Sequence, residues 1–354
     1  MAASNQDHRP SHAPAPSSAT NNKKIRPNLQ GTPETLLSIL YMRAIDAKAA
    51  RPILNDRYAV DIVDSMDYNW AKFGLSAGRS AVFAMRGRFL DRWTADFVKA
   101  ASVAQRDGDV EDGDGVTVLH LAAGLDTRAL RICDALLTGQ HGNDRRNEGQ
   151  DRGDASELTQ PAVHWIDIDL PEVMDLRRRL DFPRPTGPRF RYEERAIDVA
   201  EAKWLADLAL SRTKRTMVIM EGLTMYLTPE QGRGLIEQLT SYFVSSASSS
   251  SPAAAAAPQR KHQMCFDCMS PLYMAMQRFD PILTQTGSNF SWLLDDLHEL
   301  EEWDEHGRLR LADAVFGCDH AETRDLGWKF WLLCWVCSWI PALRRLVMYV
   351  RYEW

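Results

Sequence analysis

Val116-Thr117-Val118-Leu119-His120-Leu121 runs directly into Ala122-Ala123-Gly124-Leu125-Asp126-Thr127-Arg128. The first run is apolar and β-rich, as a strand buried on both faces would be. Small residues at 122 to 124 then form a tight turn, and a helical stretch follows. Strand, turn and helix in that order are the repeating unit of a doubly wound sheet, which binds ligands outside the carboxyl ends of its strands. Small side chains let the backbone approach a ligand closely, with a helix N-terminus facing it. The G-x-G-x-x-G pattern is missing from this turn, so a nicotinamide dehydrogenase is disfavoured. Taken alone, the stretch reads equally well as a plain structural turn.

The same alternation continues on the C-terminal side. Val163 to Ile168 (VHWIDI) leads through Leu170-Pro171 into a helical run ending at Leu180. A third strand ends near Ala196-Ile197, and Met217 to Met220 is followed by a helix from Pro229 to Phe243. Gln263 to Phe266 reads as a fifth strand, and Leu346 to Tyr352 alternates like a late edge strand. Strands alternating with helices predict a parallel α/β sheet. On the N-terminal side, Thr32 is the expected cap and Pro33 the first residue of an all-helical region reaching about Ala104, with apolar stripes through Leu36, Leu37, Leu40, Ile45, Tyr58, Ile62 and Val63. Residues 1–30 read as a disordered tail. Gln105 to Gly115, Gln140 to Gln160 and the Ser/Ala tract Ser245 to Pro258 read as surface insertions. The expected layout is one domain over 31–354: a helical part (31–104), a core (116–245) and a C-terminal substrate side (261–354).

Each strand end carries chemistry. Asp167 and Asp169 end the second strand, where an acid typically grips ribose hydroxyls. Asp198 follows the third strand and Glu221 the fourth. Any one of these acids could be a loop residue or a helix cap, but acids or small residues at four successive strand ends form a pattern.

Leu121 to Arg128, Ile168-Asp169-Leu170-Pro171-Glu172-Val173, Asp198 with Trp204 and Leu208, and Glu221 to Leu227 resemble, in order and spacing, the motif blocks of the leucine carboxyl methyltransferase family, which includes tetracenomycin-type polyketide O-methyltransferases. Arg43-Ala44, Asp56 to Ala59 and Arg86 to Asp91 resemble its N-terminal motifs. The resemblance implies a Rossmann-like class I methyltransferase sheet that binds S-adenosyl-L-methionine, with a helical N-terminal region and C-terminal substrate-cap segments. It also implies that Arg86 meets the methionine carboxylate and that Ala122 and Gly124 line the amino-acid end. Asp169 would hold the ribose, Asp198, with Val199 beside it, the adenine, and Glu221 the methionine amino group. Ala122 stands where the family has glycine, and its methyl is expected to crowd the cofactor.

The rest of the chain narrows the function. A net charge of −6 and the lack of a basic segment interleaved with aromatics argue against nucleic acid. The N-terminus has no apolar signal core, so a reducing, cytoplasmic setting is expected. Cys265/Cys268 and Cys334/Cys337 form two CxxC pairs, read as buried free thiols in preference to a zinc site. The Trp-rich run Phe330 to Ile340 is about half the roughly 20 residues a membrane span needs, and reads as a buried helix. His120 and His164 read as core or edge histidines, which leaves no evident general base and favours an acidic acceptor. Tyr226 is the candidate substrate contact. Cys268 to Trp292 could line an apolar pocket, although core packing is the plainer expectation.

The expected function is O-methylation of a carboxylate or hydroxyl of a small molecule, a polyketide-like secondary-metabolite intermediate, with association into homo-oligomers left open. The alternatives are methylation of a protein C-terminal leucine carboxylate and a non-catalytic cofactor-binding scaffold.

Overall fold

The structure is a computed structural model that describes residues 24–29, 31–106, 115–138, 162–201, 203–212, 214–243, 262–319, 323–324 and 327–354. Residues 1–23 of the expected tail, the insertions at 140–160 and 245–258, and residues 107–114 of the first insertion lie outside them. Residues 24–29 depart from the tail expectation: Ile25 bridges Met66 and Leu29 is buried. Gln105 and Arg106 end a helix.

A seven-stranded sheet forms the centre: β1 Val116–Leu121, β2 Val163–Asp169, β3 Phe190–Ala196, β4 Arg215–Met220, β5 Gln263–Met269, β6 Arg310–Phe316 and β7 Val347–Glu353, in the order β3-β2-β1-β4-β5-β7-β6. β1 to β5 pair in parallel, and β7 runs antiparallel to both β5 and β6. This is the doubly wound, mostly parallel sheet expected from the alternation of strands and helices, closed on one side by an antiparallel pair. Its strand order reverses between β1 and β4, so a crevice opens at the carboxyl ends of that pair.

The central strands β1, β2, β4 and β5 bury both faces. Val116 and Val118 of β1 join Leu90, Trp93, Phe97 and Val98 of α3 (Ala77–Arg106) and Ala129 and Ile132 of α4 (Arg128–Thr138). Leu119 and Leu121 point the other way, into a cluster with Leu235, Ile236 and Leu239 of α7 (Pro229–Tyr242). Two elements fix α7. Thr228 and Gln231 make a reciprocal capping box at its start. Gly232 leaves room for Trp292, whose ring would lie 2.5 Å from any added Cβ. α1 (Thr35–Ala47) and α2 (Arg57–Ser65) pack Leu37, Leu40, Ile62 and Val63 on Leu125 and on Val173 and Leu176 of α5 (Pro171–Arg179), so they roof the carboxyl ends of the strands.

Three expectations are corrected. Thr32 does not cap α1: a 3-10 turn over Thr32–Glu34 precedes the helix, and the Thr35 hydroxyl donates to the Thr32 carbonyl at 2.6 Å. Leu346 to Tyr352 is not an edge strand. β7 is inserted between β5 and β6 because its Met348, Tyr349 and Val350 are buried, while β6, with exposed Arg310, takes the edge. The Trp-rich helix, Trp328–Trp339, is not buried. Trp328 and Trp339 are 69% and 72% exposed, and Cys334 is its one buried residue. Its apolar residues surround the axis instead of forming a stripe, so a single line of contact leaves most of them uncovered. No helix among the described residues is long and apolar enough to cross a membrane.

Candidate active site

A cavity of about 400 Å³ sits at the carboxyl ends of the strands. It takes Ala122 to Asp126 after β1, Asp169 and Leu170 after β2, Ile197 to Ala200 after β3, Glu221 to Leu223 after β4 and Met269 at the end of β5. α1 supplies its roof through Leu36, Ile39 and Arg43. Arg86, Ala122, Gly124, Asp169, Asp198, Val199, Glu221 and Tyr226, all named from the sequence, line it, whereas Asp167, the other acid of the second strand, does not.

The turn after β1 has the shape its small residues imply. Gly124 has φ 54°, and Ala122 has φ 52°, a left-handed conformation that glycine tolerates and alanine does not. The backbone therefore takes a course suited to glycine, and alanine bears the strain. Ala122→Gly is expected to stabilise the fold by about 0.5–1 kcal/mol in urea unfolding, the native strain relieved minus the added freedom of the unfolded chain. If the methyl also crowds the donor, the variant binds it more tightly.

Asp169 ties this turn to β2. Its Oδ2 accepts from Gly124 N at 2.6 Å and its Oδ1 from Leu170 N at 2.7 Å. Burial raises its pKa, against the lowering by those two amides. A carboxylate has about four lone-pair sites, so two remain for ligand hydroxyls. Asp198 follows β3, where its Oδ1 accepts from Ala200 N at 2.9 Å.

Below the turn lies a buried ionic network. Glu221 receives Arg43 at 2.8 Å, Arg86 at 2.9 Å and Arg128. Burial alone would push its carboxyl up, but the three guanidiniums hold it well below the usual range. Arg86 also reaches Asp267 at 2.8 Å, and Arg43 reaches Asp126 at 2.6 Å. Arg128 and Arg131 share Asp91 and Asp126, and Arg131 also holds Asp56 at 2.8 Å. Four guanidiniums thus face five carboxylates. Arg43 lines the cavity, and its buried Nε has no hydrogen-bond partner.

The sequence reading singled out Arg86 and Glu221 but not their dependence on each other. Arg86 points both edges of its guanidinium at acids, so Arg43 holds the unsatisfied donor. Arg43, Asp126, Arg128 and Asp267 were missed as site residues. Arg43, Asp126 and Arg128 stood inside recognised motif blocks, which was the one signal available.

His120 is 1% exposed, with Nδ1 3.1 Å from Asp167 and Nε2 3.3 Å from Arg128. A guanidinium only donates, so Nε2 accepts and the proton sits on Nδ1. With both nitrogens engaged, His120 is a network member and not a free base. His164 pairs with Glu193 at 2.9 Å on β2 and β3, away from the cavity. Among the described residues no cluster of His, Cys, Asp or Glu could hold a metal ion. The paired cysteines lie on β5 and on the Trp-rich helix.

Asp167, unlike Asp169, is a structural acid. Burial pushes it up, but Arg177 at 2.7 Å, with His120 and Tyr192, brings its carboxyl down to about 2. A depressed carboxyl stabilises the fold above its unfolded pKa, near 4, and loses that contribution as the pH falls towards 2, by about 2 kcal/mol here. Asp169 and Asp267, raised by burial, act with the opposite sign. Urea midpoints measured from pH 5 to pH 2 are therefore expected to fall less steeply in Asp167→Asn than in the wild type.

Residues 156–240, from before β2 through most of α7, match the leucine carboxyl methyltransferase family model, so the resemblance read from the motifs holds there. The chain is 27% identical over 341 residues to the S-adenosyl-L-methionine-dependent methyltransferase dpfgK of Gibberella zeae, covering 93% of this chain and 97% of that one. It is 27% identical over 273 residues to the tetracenomycin polyketide synthesis O-methyltransferase TcmP of Streptomyces glaucescens, covering 77% and 79%. Among solved structures, a DUF574 family protein from Streptomyces avermitilis aligns with TM-score 0.46 and 11% identity, over 90% of this chain and 96% of that one.

Proposed function

We propose, from the leucine carboxyl methyltransferase match and the cavity at the strand ends, that this chain is an S-adenosylmethionine-dependent O-methyltransferase acting on a carboxylate or hydroxyl of a small, polyketide-like molecule. One observation carries the donor assignment: Arg43, whose buried Nε has no hydrogen-bond partner, lines the same cavity as Asp169. The residues fit the donor in shape and charge. Arg43 offers an N–H to an α-carboxylate, and Glu221 and Asp126 offer negative charge to an α-ammonium. Asp169 keeps lone pairs for ribose hydroxyls, and Asp198 and Val199 flank the space for an adenine. The network's one excess carboxylate matches the donor's net positive charge, two cations against one carboxylate.

When bound, S-adenosylmethionine supplies an electrophilic sulfonium methyl. The protein's part is to orient the acceptor oxygen and exclude water, which the roof of α1 favours. One domain over 31–354 belongs to the same reading, since the lining runs from Thr32 to Phe290. The family match also favours a second reading, methylation of a peptide C-terminal leucine carboxylate.

Titration calorimetry with S-adenosylhomocysteine, followed by donor-consumption assays on phenols, aromatic acids and a C-terminal leucine peptide, tests both readings. Binding with turnover on a small acid or phenol supports the first, and turnover on the peptide alone supports the second. No binding at all overturns both and leaves a scaffold role.

A further inference from the structure

The end of the cavity away from the strand ends differs in chemistry from the donor end. Tyr273, Leu283 and Phe290 of the C-terminal segment line it, beside Tyr226. Phe290 stands across Tyr226, 5.1 Å between centroids at 76°, and lies along Tyr273 at 5.7 Å and 30°. Such an arrangement takes a flat aromatic guest. Among the described residues, the other acids lining the cavity follow β1 to β4, whereas Asp280 stands apart, in the C-terminal segment.

The Tyr273 hydroxyl donates to Asp280 Oδ2 at 2.8 Å, and Arg79 Nη2 from α3 donates to the same oxygen at 2.6 Å. Asp280 Oδ1 accepts from Ile282 N at 2.8 Å, so the helix Pro281–Thr286 fixes the carboxylate. A phenol has one proton to donate. With that proton committed to Asp280, the Tyr273 oxygen keeps its lone pairs for a donor in the cavity. Burial, then Asp280, raises the Tyr273 pKa, which keeps it a neutral phenol at physiological pH. The charged or titratable groups facing it are Asp280, Arg79 and Tyr226. Tyr226 feels Arg86 and Asp267 as well as Asp280, which sets it between the two ends.

Resting on the proposed methyl transfer, we infer that the acceptor is a phenol and that Tyr273 and Asp280 relay its proton. The acceptor oxygen bonds to the sulfonium methyl carbon as the carbon–sulfur bond breaks and its electron pair stays on sulfur. The acceptor's proton passes to Tyr273 Oη while the Tyr273 proton passes to Asp280 Oδ2. The products are a methyl ether, S-adenosylhomocysteine and a neutral Asp280, which returns its proton to solvent past the partly exposed Arg79. Tyr273 is the catalytic residue, in contact with the acceptor. Asp280 acts through it, and Arg79 positions Asp280.

The test uses the full chain, its Tyr273→Phe and Asp280→Asn variants, and phenols of graded acidity from 4-methylphenol to 4-nitrophenol. Asparagine retains the cap on the following helix, so the second variant keeps that local structure. Calorimetry on the S-adenosylhomocysteine complex is expected to show 4-methylphenol binding to the wild type and about tenfold weaker binding to Tyr273→Phe, with homocysteine-product affinity unchanged in both variants. Initial rates at pH 7 with 4-methylphenol are expected to fall about a hundredfold or more in each variant. They should recover in proportion to hydroxide as the pH rises, while 4-nitrophenol, already about half ionised at pH 7, loses only a few-fold. Phenols that bind both proteins equally, rates that fall alike for every phenol at every pH, or no phenol binding to a wild-type complex that does bind the homocysteine product would each overturn the relay. Failure of the wild type to bind S-adenosylhomocysteine would instead overturn the methyltransferase reading beneath it.

Discussion

Glu221→Gln is expected to destabilise the fold by about 3–5 kcal/mol, because it removes the charge on which three buried guanidiniums converge. Glutamine keeps the shape and one acceptor oxygen, yet Arg43, Arg86 and Arg128 would be left with Asp126, Asp267 and Asp91 as their charged partners, and the network would shift from an excess of acid to a balance. The cost arises from removing one member of a paired set. A simultaneous apolar replacement of the whole set would cost far less. Urea unfolding of the two proteins at pH 7 measures it directly, and a loss below about 1 kcal/mol would mean that water or rearrangement compensates the stranded arginines. The same variant is expected to lose S-adenosylhomocysteine binding, since the positive α-amino group would then meet a site without excess negative charge.

Asp169→Ala is expected to weaken S-adenosylhomocysteine binding by about a hundredfold, the loss of two hydrogen bonds to a charged group. It also strands the amides of Gly124 and Leu170, which Asp169 now satisfies at 2.6 and 2.7 Å. A stability loss of about 2 kcal/mol should therefore accompany the loss of affinity. Asp169→Asn separates the two effects: the amide oxygen can satisfy one backbone N–H, so stability should recover more than affinity. Equal recovery of both would place Asp169 outside the ribose contact and leave it as a brace for the turn.

The parallel core was legible because its strands are short apolar runs, each ended by a turn or a helix start. Val116 to Leu121, Val163 to Ile168 and Met217 to Met220 carry their burial in their composition, and the residues next in line must occupy the strand ends. Ala122, Gly124, Asp169 and Glu221 follow from that geometry, whereas Asp198 follows the polar β3 and Val199 came only with the family resemblance. The pairing of charges did not follow. Nothing periodic links Arg43 to Glu221, 178 residues away, and a buried arginine looks like a surface arginine until its acid is placed beside it. Tyr273 and Asp280 were hidden for another reason: Cys268 to Trp292 has the composition of a core, and cores and apolar pockets share it. The Trp-rich helix misled in the opposite sense. Hydropathy shows that a segment is apolar, but only packing decides whether anything covers it. β6 escaped because a half-exposed edge strand with Arg310 and Asp313 shows little apolar alternation.

The buried charges also bear on how the chain is made. Arg86 precedes its partner Asp267 by 181 residues. During synthesis the guanidiniums of α1 and α3 leave the ribosome well before the acids that neutralise them, and closing such long loops is slow. The strands from β1 to β4 can assemble while Arg86 still lacks half of its partners, so the floor of the cavity exists before the charges beneath it are settled. Until β5 arrives, one edge of the Arg86 guanidinium has no acid to face, so the network reaches its final pairing only when the last parallel strand joins the sheet.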